Sequence, residues 1–215
     1  MAAFRIAVLI SGRGSNLQAL LDTVHGRPLD GEGPDSIEIV GVASSRADAA
    51  GLARAERAGV ESAVFAAADH SSRGARDAAL GDWLERHEVQ LVVLAGFMEL
   101  LGPELIRRFA GRIINVHPSL LPAFPGVRAI GQALDYGVRV TGVTVHLVDQ
   151  GVDTGPIVLQ EALELTYPAR IGDIEERVHE IEHRLLPRAV RLFAQGRVRM
   201  DPDNPRLALI DDGHD

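Results

Sequence analysis

The sequence contains no cysteine and no lysine; all 22 of its basic residues are arginine. Each absence removes chemistry. Without lysine there is no Schiff base and no P-loop ammonium on a nucleotide phosphate. Without cysteine there is no thiolate nucleophile, disulfide, CxxC redox pair, thiolate zinc site or iron–sulfur site. Long apolar runs are missing too. No stretch reaches the 18 or so residues of a membrane span, and the amino-terminal run in MAAFRIAVLISG is too short for a signal peptide. These features point to the cytoplasm, and the chemistry must come from His, Asp, Glu, Ser, Asn, Arg and the backbone.

What is present describes a globular chain. Its 215 residues are 46% hydrophobic and 24% charged, enough to bury a sizeable core in one α/β domain spanning 1–215. Thirty acids against 22 bases leave a net charge of −8, which argues against broad binding to nucleic acid or anionic membrane. A small anionic ligand is still compatible with a locally positive site.

Short aliphatic runs alternate with helix-period segments. Strands are predicted at Phe4–Ile10, Ile37–Ala43, Ser62–Phe65, Leu91–Ala95, Ile113–Val116, Val140–Val148 and Pro156–Leu163. Helices are predicted at Asn16–Val24, Ala47–Ala58, Arg73–His87, Pro103–Phe109 and Ile171–Ala194, the last with Pro187 as a kink point. The first five strands are almost solidly aliphatic, as in a parallel sheet covered on both faces. Val140–Val148 alternates instead, which suggests an antiparallel addition. The fold class is therefore α/β: a doubly wound, mostly parallel, Rossmann-like sheet with an antiparallel C-terminal addition and ligands at the carboxyl strand ends. The loop 26–36 reads as an insertion, and the tail from Asp201 as frayed.

Three segments carry candidate chemistry. Ser11-Gly12-Arg13-Gly14-Ser15-Asn16 follows the first strand and opens a helix, where backbone N–H groups and the helix dipole suit a phosphate. Ser15 and Asn16 can cap that helix or donate to a phosphate oxygen. A dinucleotide fingerprint would need a third glycine where Leu17 stands; Arg46 after the second strand keeps an NADP reductase as the competing enzyme class. Asn115 and His117 lie two apart at a strand end and so leave the same face, with Pro118 holding His117 extended. An amide donor beside a histidine can bind a developing oxyanion while the ring moves a proton. Asp153, between glycines in a turn, either caps its own backbone or reaches His117. His146, on the Thr144 face, reads either as a core histidine or as a support behind the site, and His179 with Glu182 as one stripe on a charged helix. No histidine spacing forms a metal ligand set.

Taken together, ISGRGSNLQAL, VVLAGFMELL, INVHPSLLPAFPG and VDTGP, in this order, closely resemble the glycinamide ribonucleotide transformylases of the folate-dependent formyltransferase family. The resemblance implies a transfer of the formyl group of 10-formyltetrahydrofolate to the amine of 5-phosphoribosylglycinamide in purine biosynthesis, without metal. It implies that Gly14, Ser15 and Asn16 hold the substrate phosphate and that His179 and Glu182 touch the rest of the ribonucleotide. Asn115, His117 and Asp153 match the catalytic trio. Arg73, Met98, Glu99, Leu100, Leu101, Asp149, Gln150, Gly151 and Val152 match folate contacts, and Leu121–Pro122 a cis bond. Partners are then small molecules, with the chain a monomer or a homodimer.

Some positions depart from the pattern. Glu99 stands where a basic residue occurs in some members, Ala123 where lysine is common, and His179 where glutamine is frequent. A donor with an anionic tail would feel the first two. Other readings stay open: methionyl-tRNA formyltransferase, formyltetrahydrofolate hydrolase, or a phosphate-binding module without catalysis. The first would need a further carboxyl-terminal domain, and the second would usually carry an extra amino-terminal one.

Overall fold

The computed structural model describes residues 3–29 and 34–211. Among the described residues there are ten strands: β1 (Phe4–Ile10), β2 (Arg27–Pro28), β3 (Ser36–Ser44), β4 (Ser62–Val64), β5 (Leu91–Leu94), β6 (Ile113–His117), β7 (Val140–Leu147), β8 (Ile157–Glu164), β9 (Val198–Met200) and β10 (Ala208–Ile210). Six α-helices accompany them: α1 (Ser15–Thr23), α2 (Leu52–Arg57), α3 (Arg73–Arg86), α4 (Pro103–Arg108), α5 (Ala129–Tyr136) and α6 (Ile171–Ala194).

The main sheet runs β3-β1-β5-β6-β7-β8, with β2 and β4 both paired to β3. Strands β1, β3, β4, β5 and β6 are mutually parallel, whereas β7 is antiparallel to β6 and β8 to β7. The chain winds outward from β1 to β3 and β4, then returns to the other side of β1 for β5 and β6. The strand order therefore reverses between β1 and β5. Loops leaving those two strands diverge there and open a crevice at the carboxyl ends.

The pleat divides the core in two. Along β1, Ile6, Val8 and Ile10 join Leu17 and Leu20 of α1 and Val178, Ile181 and Leu185 of α6 on one face. Ala7 and Leu9 join Leu80, Trp83 and Leu84 of α3, Leu105 of α4 and Phe109 just after it on the other. Burial on both faces explains why these strands are aliphatic at nearly every interior position. Each fully buried Leu, Ile or Val contributes about 1.5–3 kcal/mol relative to exposure, so these two layers supply most of the drive to fold.

The differences from the sequence reading are local. The helix expected over Ala47–Ala58 begins only at Leu52, because Ala49 N–H turns back to Arg46 and Gly51 N–H bonds to the Gly12 carbonyl. Helix α5 was not expected; it is short, contains Gly131, and ends on Gly137 in the left-handed conformation. Residues 198–210, expected to fray in part, form the antiparallel β9–β10 pair. Within 26–36, Arg27–Pro28 pairs with β3, and residues 30–33 lie outside the described residues, as do 212–215. Helix α6 is continuous through Pro187. Among the described residues no helix is long and apolar enough to cross a membrane.

Candidate active site

The crevice gathers three sets of residues. The first is the loop after β1. Gly14 adopts φ +72° and precedes α1, whose first internal hydrogen bond runs from Gln18 N–H to the Gly14 carbonyl (3.0 Å). The N–H groups ahead of it point out of the helix end, an arrangement that attracts an anion. Arg54 braces the loop from behind, donating to the Arg13 carbonyl and to Gln18 Oε1, each at 2.9 Å. No side chain caps α1. Ser15 and Asn16 lie inside the first turn, and the Asn16 amide is turned away, donating to Glu182 Oε2 at 2.9 Å.

That bond joins the first set to α6. Glu182 is buried at 6% exposure, so the solvated-stripe reading fails for it, while His179 is exposed and stacks on His183. Burial pushes the Glu182 carboxyl above its ordinary range, against the opposing effects of the Asn16 donor and the nearby His179.

The second set sits at the end of β6. Asn115 lies opposite His146 and His117 opposite Thr144 in the antiparallel register with β7. His117 Nδ1 is 3.3 Å from Asp153 Oδ2, and its Nε2 is 2.9 Å from the Phe124 carbonyl. Both partners are acceptors. The other Asp153 oxygen is 3.5 Å from Asn115 Nδ2 and from His146 Nε2, while Oδ2 accepts the Gly126 N–H at 2.7 Å. Of the two readings of Asp153, the one that reaches His117 is the geometry observed. Burial works to raise the Asp153 carboxyl, but the His146 contact, the Gly126 N–H and the charges of His117 and His146 together hold it below its ordinary value.

The proline loop that follows is tied to β7 and β8. Thr144 Oγ1 donates to the Ser119 carbonyl and accepts the Leu121 N–H, and Gln160 Nε2 donates to the Leu121 carbonyl. The Leu121–Pro122 bond is cis.

The third set is a cavity of about 220 Å3 between β5, β6 and the 149–153 turn. Leu94, Phe97, Leu101, Ile106, Val148 and Val152 supply apolar walls; Arg73, Glu99, Leu100, Asp149, Gln150 and Gly151 also line it, and Asn115, His146 and Asp153 form its floor. Such a slot, apolar on its faces and edged with loop backbone and a few polar groups, suits a flat heteroaromatic ring. Met98 is not part of the lining: its side chain is 72% exposed, and its N–H donates to Ser11 Oγ at 2.8 Å. Among the described residues no group of three or more His, Cys, Asp or Glu side chains is placed to hold a metal.

The sequence profile of the formyl transferase family matches residues 4–190. The chain belongs to the formyl transferase family. Phosphoribosylglycinamide formyltransferase of Haemophilus influenzae is 41% identical over 207 residues, covering 96% of this chain and 93% of that protein. The human trifunctional purine biosynthetic protein adenosine-3 is 43% identical over 206 residues; this chain covers 20% of its length, as it does for the bovine protein. The crystal structure of glycinamide ribonucleotide transformylase 1 from Symbiobacterium toebii matches with a TM-score of 0.89 and 46% identity, covering 98% of this chain and 95% of that one.

In this formyl transferase several site residues escape motif reading. Of the two readings of His146, the supporting one fits the geometry: it is buried, at 2% exposure, and its ring touches Asn115 and Asp153. Its signal was the alternation that puts it on the Thr144 face of β7. Arg76 and Asp77, beside Arg73 on α3, hold the cavity wall, and only the RGARD run hinted at charges on that helix. Arg46, the hint of an NADP site, is exposed and forms a two-pronged pair with Asp48.

Proposed function

We propose that this chain transfers the formyl group of 10-formyltetrahydrofolate to the amine of 5-phosphoribosylglycinamide in purine biosynthesis. The observation that carries this reading is the cavity floor. Asn115 and Asp153 meet there, with His117 directly behind, and the α1 anion site lies on the same crevice. Relatives that carry this activity in their names match along nearly their whole length.

In the proposed reaction the substrate amine is the nucleophile, so the chain needs neither lysine nor cysteine. The new bond joins the amine nitrogen to the formyl carbon, and the bond from that carbon to N10 of the folate breaks. The amine gives up one proton and N10 takes one. Asn115 Nδ2 and the His117 ring stabilise the developing oxyanion, and Asp153 orients the His117 ring through Nδ1. For Nε2 of His117 to meet the formyl oxygen, its bond to the Phe124 carbonyl must exchange. His117, or a water beside it, then relays the proton. The apolar slot holds the folate ring, with Arg73 and Asp149–Val152 at its edge. The phosphate rests on the N–H groups of Gly14–Asn16, and Glu182 and His179 face the sugar and glycinamide.

An absorbance assay of folate deformylation tests this. Turnover that depends on added phosphoribosylglycinamide is expected, and His117→Ala lowers kcat by roughly 10²–10³ with the fold intact. Deformylation without the amine would mark a hydrolase instead. Near-normal turnover in His117→Ala would overturn the mechanism.

A further inference from the structure

Phe97, Glu99, Leu100 and Leu101 form one wall of the cavity, on a segment 97–102 that has no helix or strand of its own. Two adjacent residues of α3 hold them in place. Arg76 is the largest fully buried side chain, at 1% exposure, and Asp77 is 3% exposed. Arg76 donates to Asp77 Oδ1 from Nε (3.0 Å) and Nη2 (2.8 Å), to the Leu100 carbonyl (2.9 Å), and to Glu99 Oε2 (2.9 Å). Asp77 Oδ2 accepts the Gly102 N–H at 2.5 Å. A guanidinium this deeply buried persists only when its donors are matched, and here every partner belongs to Asp77 or to the wall.

The charges do not cancel. One cation faces two carboxylates, and Asp77 is consumed inside by Arg76 and Gly102. Glu99 is 40% exposed and lines the cavity, so the surplus negative charge is presented there. Arg73 is the arginine of the same lining. A carboxylate on a bound donor is thus drawn by Arg73 and repelled by a Glu99 that Arg76 prevents from swinging away.

We propose that Glu99, fixed by the buried Arg76–Asp77 pair, is a specificity-determining residue for the formyl donor. It offsets the attraction of Arg73, so that binding does not tighten as the donor tail gains carboxylates. This rests on the folate reading of the cavity given above. Arg76 and Asp77 are then positioning residues that act through Glu99 and the wall.

The test compares donors carrying one and three glutamyl groups on the wild type and Glu99→Gln. Glutamine keeps an oxygen for Arg76 while removing the charge. The wild type is expected to show KM values for the two donors within about twofold of each other. Glu99→Gln lowers KM for the triglutamyl donor roughly three- to tenfold relative to the monoglutamyl one, and the difference fades near about 0.5 M salt. A wild type that already prefers the triglutamyl donor tenfold, or a variant that shifts both donors equally, overturns the proposal. Calorimetric binding of folic acid with one or three glutamyl groups needs no turnover. The same charge dependence seen there supports the proposal even if formyl transfer fails; binding of neither folate overturns it.

Discussion

Asn115 and His146 face each other across β6 and β7, with Nδ2 and Nε2 3.2 Å apart, and each lies 3.5 Å from the same oxygen of Asp153. The other nitrogen of His146 meets the Leu147 carbonyl at 2.8 Å, so the ring cannot turn without losing that contact. Nε2 therefore faces both a donor and an acceptor and fixes where each points. Loss of one such contact, worth about 1–2 kcal/mol, corresponds to roughly tenfold in rate. His146→Ala should lower kcat by about that factor. The His146 contact is also the foremost influence holding the Asp153 carboxyl down. Its removal should shift the acidic limb of the kcat/KM profile to higher pH. An unmoved limb would show that His146 only fills space.

Asp153 itself is testable by stability as well as rate. Its backbone has φ +53°, a conformation that asparagine adopts as readily, so Asp153→Asn should leave the turn intact. Turnover should fall on the order of 10²–10³. The sign of the pH effect follows from a carboxyl held below its ordinary value. Its stabilisation is present above the unfolded pKa of about 3.9 and is lost as pH falls through the folded value. Thermal melts should place the variant below the wild type near neutral pH, with the gap closing below about pH 4. A gap independent of pH would contradict the assignment.

How much of this was legible in the sequence depends on the range of the interaction. The parallel strands were plain because burial on both faces makes most positions aliphatic, and β7 stood out because apolar Val143, Val145 and Leu147 alternate with polar Thr144 and His146. Asn115 and His117 could be paired from spacing alone, since a strand fixes which residues share a face. Asp153 could not be tied to His117, because a 36-residue separation is closed only by the β7–β8 return. Glu182 looked solvated because helical spacing shows its stripe but not the α1 loop that covers it. Arg76 carried no sequence signal of its own, because its burial follows from the wall segment packed over it. Helix α5 was hidden by Gly131, whose low helix propensity is overridden by packing of Ala129 and Ala133.

Glu182 offers the opposite pH sign. Burial raises its carboxyl, so the ionised form is the costly one in the folded state. The stability it contributes is complete below the unfolded pKa of about 4.3 and is lost as pH rises through the folded value. Glutamine is isosteric and can still accept the Asn16 Nδ2 hydrogen. Glu182→Gln should therefore raise Tm by about 3 °C near pH 8 and leave it unchanged near pH 4. If Glu182 holds the substrate as proposed, KM for the amine substrate should rise at the same time. A lower Tm at pH 8 would show that the charge is stabilising where it stands.

The loop between β1 and α1 can be probed by two alanines that differ in what they meet. At Gly14 a Cβ would lie 2.7 Å from the Gly51 Cα, on a backbone with φ +72°. At Gly12 a Cβ would have nothing within 4 Å. Gly14→Ala should cost about 1–3 kcal/mol, because an L side chain is strained there and must also push against backbone. Gly12→Ala should stay within about 0.5 kcal/mol. Denaturant melts read this difference. If the N–H groups after Gly14 carry the phosphate, Gly14→Ala should also raise KM for phosphoribosylglycinamide about tenfold while leaving KM for the formyl donor unchanged. Equal losses for both substrates would mean that the strained loop had disturbed the whole crevice rather than one anion site.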